Sequence, residues 1–276
     1  MKDSNAARER SGKPAHDSAQ GPNRWMPHLA IAALVLLAAG FIAHEVSAAR
    51  MRTELLRADP AAIDGNPTLV RFAASIAAPA YTRHCASCHG ADLRGDSIGG
   101  APNLRDQDWL YGSGTTSEIE RVIYYGIRSN NPKAWNLATM PGFALPIPSA
   151  KYKVEPLKPG EIDDLVQFLQ LQGGRAADHA AAMRGEALYA GKGECFDCHS
   201  SDAHGDPAIG APNLTDAIWL YGDGSPQSIR DSIAHGHAGV CPAWIGKLTP
   251  AQIRALAVYI HIQSQPTGTP PAHTAN

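Results

Sequence analysis

Two short motifs constrain this chain more than any other feature of its sequence. Each has two cysteines separated by two residues and a histidine directly after them: Cys85, Cys88 and His89 in the first, and Cys195, Cys198 and His199 in the second. C-x-x-C-H is the attachment pattern of c-type haem. The thiols form thioether bonds to the haem, and the histidine binds the iron as its proximal ligand. The sequence therefore predicts two covalently bound haem c groups, each with its iron.

A zinc knuckle or a thioredoxin-like redox pair is the alternative interpretation of a single such motif. A structural zinc site needs four ligands, usually cysteine and histidine. The chain offers no further cysteine pair, because its fifth cysteine, Cys241, stands alone. Two motifs with matching flanks favour haem.

An internal repeat shows how the chain is organised. The segment GAPNLRDQDWLYGSG at 100–114 recurs as GAPNLTDAIWLYGDG at 210–224, which indicates a tandem duplication. Each copy shows a helix leading into the haem motif, a Gly/Pro-rich loop, a short helix, a second loop and an amphipathic closing helix. We find no convincing strand pattern. The prediction is an all-α fold of two tandem class I cytochrome c-like domains, at 69–174 and 175–266, with a flexible tail at 267–276.

The amino-terminal segment carries an uncharged apolar run, LAIAALVLLAAGFIA, at 29–43. We predict a transmembrane anchor at 27–49, followed by a linker at 50–68. Five Lys/Arg against three acidic residues precede the run, which favours a cytoplasmic tail at 1–26 and export of the remainder. The expected location is the bacterial inner membrane, with the haem domains in the periplasm. A cleaved signal peptide is the alternative, because Val46-Ser47-Ala48 is a passable cleavage site.

The sixth iron ligands are expected in the second loop of each copy. In copy one, GIRSNNPKAWNLATMPGF places Met140 before a proline, although a core methionine is the commoner role for this residue. In copy two, the shorter GHAGVCPAW places Cys241 at that position, and no methionine follows Met183. Cys241 binding as thiolate is one interpretation of the second haem, and His237 or His235 as ligand is another. A third is an open site with Cys241 as a buried or redox-modified thiol.

The chain resembles the dihaem subunit III of cbb3-type cytochrome c oxidases, known as CcoP or FixP. The resemblance rests on the C-x-x-C-H motifs, the P-N-L-x-D-x-x-W-L-Y-G segments and the M-P-x-F and x-P-A-W segments, which follow one apolar helix. The resemblance spans about residues 70 to 265. It implies electron transfer from periplasmic donors towards a catalytic subunit, with His and Met on each iron. It assigns the family roles to matching residues: Cys85, Cys88, His89 and Met140, and Cys195, Cys198 and His199. The implied partners are oxidase subunits or a small periplasmic electron carrier.

Two function classes remain open from the sequence. The first is an electron-transfer cytochrome, either an oxidase subunit or a stand-alone relative. The second is a dihaem redox enzyme in which a His/Cys haem is catalytic, as in cytochromes that oxidise thiosulfate; a dihaem peroxidase is a weaker third choice. The formal net charge of −2 gives no reason to expect nucleic acid as a partner. Trp109 and Trp219, at matching repeat positions, are expected to be core residues against the haems.

Overall fold

The computed structural model describes residues 26–96, 99–146 and 155–265. Over these ranges the fold is all-α, as predicted, and the only β-type pairing consists of isolated bridges. The elements in chain order are α1 (Met26–Arg57), a 3-10 turn (Ile63–Gly65), α2 (Pro67–His84), α3 (Ala86–His89), α4 (Thr116–Tyr125), α5 (Pro159–Gln172), α6 (His179–Ala190), α7 (Phe196–His199), α8 (Pro226–His235) and α9 (Pro250–Ser264).

The chain divides into two compact units, Met1–Arg50 and Met51–Asn276. In the first unit the described residues belong to α1, and its large apolar side chains are exposed, for example Leu36 and Phe41. Pro27–Arg57 is long and apolar enough to cross a membrane. Most of the predicted tail at 1–26 and all of the tail at 267–276 lie outside the described residues.

Side-chain caps fix where the helices of the second unit begin. Asn66 Oδ1 accepts hydrogen bonds from the backbone N–H groups of Thr68 and Leu69, both at 3.1 Å, at the start of α2. Thr249 and Gln252 form the capping box predicted at the start of α9. These caps satisfy backbone N–H groups that have no partner within the helix.

The second unit contains two hydrophobic cores, and each combines helices from both sequence repeats. In the first core, α2 and α4 pack against α9, with Leu55, Ala73, Ile123 and Leu256 among the buried residues. In the second core, α5 packs against α6 and α8. The closing helices α5 and α9 are thus exchanged between the repeats.

This packing differs from the expectation that each repeat closes on its own helix. The predicted segments 69–174 and 175–266 follow the sequence repeats, whereas neither core lies within one segment. The physical reason is that an amphipathic face needs an apolar partner, and two similar repeats offer two similar partners. The pattern of apolar residues cannot choose between them.

Polar contacts reinforce the exchanged helices. On α9, Arg254 Nε donates to Glu120 Oε2 on α4 at 2.8 Å, and both side chains are largely buried. Gln170 on α5 donates from Nε2 to Gly224 O at 3.0 Å. His261 on α9 has the corresponding contact, with Nδ1 2.7 Å from Gly114 O. The two exchanged helices therefore use equivalent backbone carbonyls of opposite repeats.

A pair of tyrosines joins the repeats with the same pseudo-symmetry. The ring of Tyr111 lies against Gly210, and the ring of Tyr221 lies against Gly100. A Cβ at either glycine would overlap the tyrosine ring, and both glycines have positive φ, 77° for Gly210 and 67° for Gly100. Glycine is therefore required at both positions, which accounts for the repeated GAPNL segments being in contact with the repeated WLYG segments.

The α5–α6 contact predicts the effect of Gly185→Ala. A Cβ on Gly185 would overlap Asp164 O and lie 2.8 Å from Phe168 Cβ. We expect the overpacking, about 1–3 kcal/mol, to exceed the ~0.5–1 kcal/mol that alanine gains in a helix. Chemical denaturation followed by circular dichroism should show a lower free energy of unfolding.

Gly160→Ala is the matched control for this prediction. Gly160 lies in the first turn of α5, and a Cβ there would meet nothing within 4 Å. The control should leave the free energy of unfolding unchanged or slightly raised. Equal stability of the two variants would contradict the packing of α6 on α5.

Candidate haem sites

Each haem motif forms a single helical turn, α3 or α7. The backbone N–H of His89 donates to Cys85 O at 2.9 Å, and that of His199 donates to Cys195 O at 2.9 Å. An i, i+4 relation places the first cysteine and the histidine on one side of the turn. The motifs therefore present thiol and imidazole together.

The two motif histidines have the same hydrogen-bond partner in their respective repeats. His89 Nδ1 lies 3.1 Å from Pro102 O, and His199 Nδ1 lies 3.0 Å from Pro212 O. Burial lowers the pKa of both histidines, against the opposing effect of these carbonyls. A neutral imidazole that donates from Nδ1 leaves the Nε2 lone pair for a metal. The repeated GAPNL segment thus orients the predicted proximal ligands.

The motif cysteines are half-buried or exposed free thiols. Burial raises the pKa of Cys85 to about 11, with Cys241 and Cys88 as further causes. Burial also raises the pKa of Cys195 to about 12. Without haem, Cys85 and Cys195 are therefore protonated thiols at neutral pH.

A tyrosine on the helix before each motif ties that helix to the residues after the histidine. Tyr81 Oη on α2 donates to Gly90 O at 2.7 Å. Tyr189 Oη on α6 donates to Ser200 O at 2.7 Å. Burial raises the pKa of both phenols, so they remain donors at neutral pH. The turn that carries each histidine is held from both sides.

A cavity of about 340 Å³ lies at the second motif. Its walls are mostly apolar, and residues of the second repeat that face it include Cys195, Cys198, His199, Trp219, Ile233 and His237. The volume is in the range of cofactor sites. Two thiols and one neutral imidazole at an apolar cavity match the requirements of a covalently attached haem. These residues fit the predicted group.

The first repeat supplies another wall of the same cavity, including Leu110, Arg128, Met140 and Phe143. Met140 thus faces the cavity of His199, whereas the order of the chain pairs it with His89. Backbone hydrogen bonds hold it there: Met140 N donates to His237 O at 3.1 Å, and His237 N donates to Met140 O at 2.9 Å.

Cys241 lies at the first motif, where the order of the chain would place Met140. Cys241 N donates to Ile127 O at 3.0 Å, and Ile127 N donates to Cys241 O at 2.9 Å. Farther along the loop, Trp244 lies with its ring centroid 5.0 Å from that of His84. Burial raises the pKa of the Cys241 thiol to about 11, and the charge of Cys88 adds to this rise.

The pairing expected from the sequence is therefore reversed in the structure: Met140 accompanies His199, and Cys241 accompanies the motif of His89. The reason is the exchange of α5 and α9, since each helix takes the preceding loop with it to the opposite repeat. No signal in a single sequence identifies this exchange, because both repeats have the same succession of elements.

The two alternative histidine ligands differ in position. His237 lines the cavity at His199, stacks on Tyr221 with ring centroids 3.5 Å apart, and has Nε2 2.9 Å from Ser232 Oγ. Burial lowers the pKa of His237, and the charge of His235 adds to the effect. His235 itself is exposed, with Nδ1 2.9 Å from Asp231 O, and it is not among the residues that line the cavity.

Of the repeated tryptophans, Trp109 packs against the first core and Trp219 against the second. Sequence reasoning missed Arg128, which lies in the cavity wall. The repeat could have pointed to Arg128, because the corresponding residue of copy two is Ala238. A charged residue that is present in only one copy is a candidate for a role specific to that copy.

Two family models match this chain. The family model for cytochrome c matches residues 75–172. The model for cytochrome c oxidase, cbb3-type, subunit III matches residues 180–260. The two matches together cover both haem motifs.

Individual relatives match about three quarters of the chain. The cbb3-type cytochrome c oxidase subunit CcoP of Rhodobacter capsulatus is 39% identical over 216 residues, which are 75% of this chain and 68% of the relative. Subunit FixP of a Bradyrhizobium species is 39% identical over 208 residues, 75% of this chain and 67% of the relative. Subunit CcoP of Cereibacter sphaeroides is 35% identical over 214 residues, which are 77% of this chain and 69% of the relative. With its two attachment motifs for covalently bound haem c, this chain belongs to the CcoP/FixP family, subunit III of cbb3-type cytochrome c oxidases.

Proposed function

We propose that this protein is a membrane-anchored dihaem cytochrome c that transfers electrons within a cbb3-type oxidase. The observation that carries the proposal is that both haem sites share one compact unit, with Leu110 and Arg128 of the first repeat in the wall of the second site. Each haem c supplies a one-electron iron couple when bound. The protein holds the two groups close together, orients them and limits their contact with water.

Four thiols and two imidazoles hold the groups. Cys85 and Cys88 attach the first haem, and Cys195 and Cys198 attach the second. His89 and His199 are the proximal ligands, oriented through Nδ1 by Pro102 O and Pro212 O. Their neutral state favours metal binding, because a protonated imidazole has no free lone pair.

The sixth ligands are exchanged between the repeats in this proposal. Cys241 serves the first haem, and Met140 serves the second, with His237 as the alternative in the same cavity. A thiolate donates electron density to iron, whereas methionine raises the reduction potential. With these ligands the first haem would have the lower reduction potential, which would favour electron transfer from the first haem to the second.

The proposed location is the bacterial inner membrane with the haem unit in the periplasm. The exposed apolar side chains of α1 and the excess of Lys/Arg before it support this orientation. The partners are the oxidase subunits and a small periplasmic electron carrier as donor.

Single-haem proteins test the exchanged ligands. Cys195→Ala/Cys198→Ala leaves the first haem, and Cys85→Ala/Cys88→Ala leaves the second. In the first-haem protein, Cys241→Ala should change the low-temperature EPR spectrum of ferric iron, and Met140→Ala should not. In the second-haem protein the dependence should be reversed.

Each single-haem protein is the control for the other, because Cys241→Ala and Met140→Ala are each introduced into both. Sensitivity of the first haem to Met140→Ala would contradict the exchange. In the second-haem protein, a spectrum that responds to His237→Ala and not to Met140→Ala would make His237 the sixth ligand.

Oxygen consumption by membranes tests the electron-transfer role. Oxidase assembled with Cys85→Ala/Cys88→Ala should lose most of its turnover with a reduced electron carrier, since one of the two relay sites is missing. Thiosulfate should not reduce the intact protein. Thiosulfate-dependent haem reduction that disappears in Cys241→Ala would instead support the dihaem enzyme.

The membrane anchor predicts an intact amino terminus. Mass determination of the protein purified from membranes should show a chain that retains residues 27–49, because an uncleaved helix stays in the bilayer. A mature chain that begins at Ala49 in the soluble periplasmic fraction would establish the signal-peptide alternative.

A further inference from the structure

Arg128 lies between the two loops that carry Met140 and Cys241. It directly follows Ile127, whose backbone exchanges two hydrogen bonds with Cys241. Its side chain is half-buried and forms part of the cavity wall at the second motif. The residue thus adjoins the first haem site through its backbone and the second through its side chain.

The guanidinium of Arg128 donates to both loops at equivalent positions. Nε donates to Gly239 O at 2.6 Å, and Nη1 donates to Ala138 O at 3.1 Å. Ala138 stands two residues before Met140, and Gly239 stands two residues before Cys241. One planar guanidinium therefore holds the backbone that leads into each proposed sixth ligand.

Two tyrosines complete the surroundings of this guanidinium. Arg128 Nη1 also donates to Tyr111 Oη at 2.7 Å. Tyr221 lies within the electrostatic reach of Arg128 and hydrogen-bonds with the backbone of Gly239. These are the tyrosines that pack on Gly210 and Gly100 at the junction of the repeats, so Arg128 contacts both sides of that junction.

The pseudo-symmetry of the chain is broken here. The residue that corresponds to Arg128 in the second repeat is Ala238, which is exposed. A single arginine therefore serves both ligand loops, whereas a symmetric pair would hold one loop each. A displacement of either loop would therefore move the Arg128 guanidinium, which also binds the other loop.

We propose that Arg128 is a positioning residue shared by the two haem sites, which holds both sixth-ligand loops through one guanidinium and couples the ligation of the two irons. The proposal rests on the ligation by Met140 and Cys241 proposed above. Two carbonyls on separate loops need a fork of donors in a fixed geometry. Arginine has that fork, whereas lysine offers a single ammonium on a flexible stem.

The test uses Arg128→Gln and Arg128→Lys in each of the two single-haem proteins and in the dihaem protein. The readouts are the low-temperature EPR spectrum and the midpoint potential of each haem. Arg71→Gln is the matched control, because Arg71 is an exposed arginine on α2 whose Nη2 donates to Thr68 Oγ1 of the same helix at 3.4 Å.

We expect both Arg128 variants to broaden the EPR signal and shift the potential of both haems, and Arg71→Gln to change neither. An effect of Arg128→Gln confined to one haem would overturn the shared role. Full recovery of both haems in Arg128→Lys would show that charge alone matters and would overturn the fork. Gly185→Ala, which we expect to lower stability away from both loops, is measured in the same way, and thermal unfolding gives the stability of every variant. If Gly185→Ala changed the EPR spectra and midpoint potentials as much as Arg128→Gln does at equal loss of stability, the proposal would be overturned.

Failure of this proposal is distinguishable from failure of the proposed ligation. The Met140→Ala and Cys241→Ala spectra decide which loop serves which iron without any change at Arg128. The Arg128 variants decide whether the two loops are held together, whichever iron each loop serves.

Discussion

The burial of two exchanged helices is the interaction on which the rest of the structure depends. The apolar face of α5 is covered by α6 and α8, and that of α9 by α2 and α4. Each exchanged helix brings along the loop before it, so the exchange decides which loop faces which haem motif. Neither core is complete without the other repeat, and the two haem sites form part of one folded unit.

The exchange changes the chemistry expected at each iron. By the order of the chain, a His/Met haem would precede a haem with cysteine nearby. In the folded protein, Met140 shares a cavity with His199, and Cys241 lies at the first motif. In the proposed ligation, a thiolate on the first iron and a thioether on the second would favour electron flow from the first repeat to the second.

The junction of the repeats is nearly symmetric, and its departures from symmetry have local causes. Tyr111 and Tyr221 pack on equivalent glycines, and Gln170 and His261 contact equivalent carbonyls. Arg128 has no counterpart, because Ala238 occupies the matching position. This departure from symmetry thus lies where the loops that carry Met140 and Cys241 meet.

The sequence by itself determined the covalent chemistry, the all-α elements, their caps and the duplication, because these follow from local spacing: Cys85 to His89 along one turn, and Thr249 to Gln252 in a capping box. Only the tertiary structure decided that Met140 faces His199 and that Cys241 faces the first motif. It also brought Arg128 to both ligand loops. The physical reason is that local patterns specify an apolar face or a liganding atom but not its partner, and a duplicated chain presents two nearly equivalent partners. The choice between them depends on packing across the whole unit.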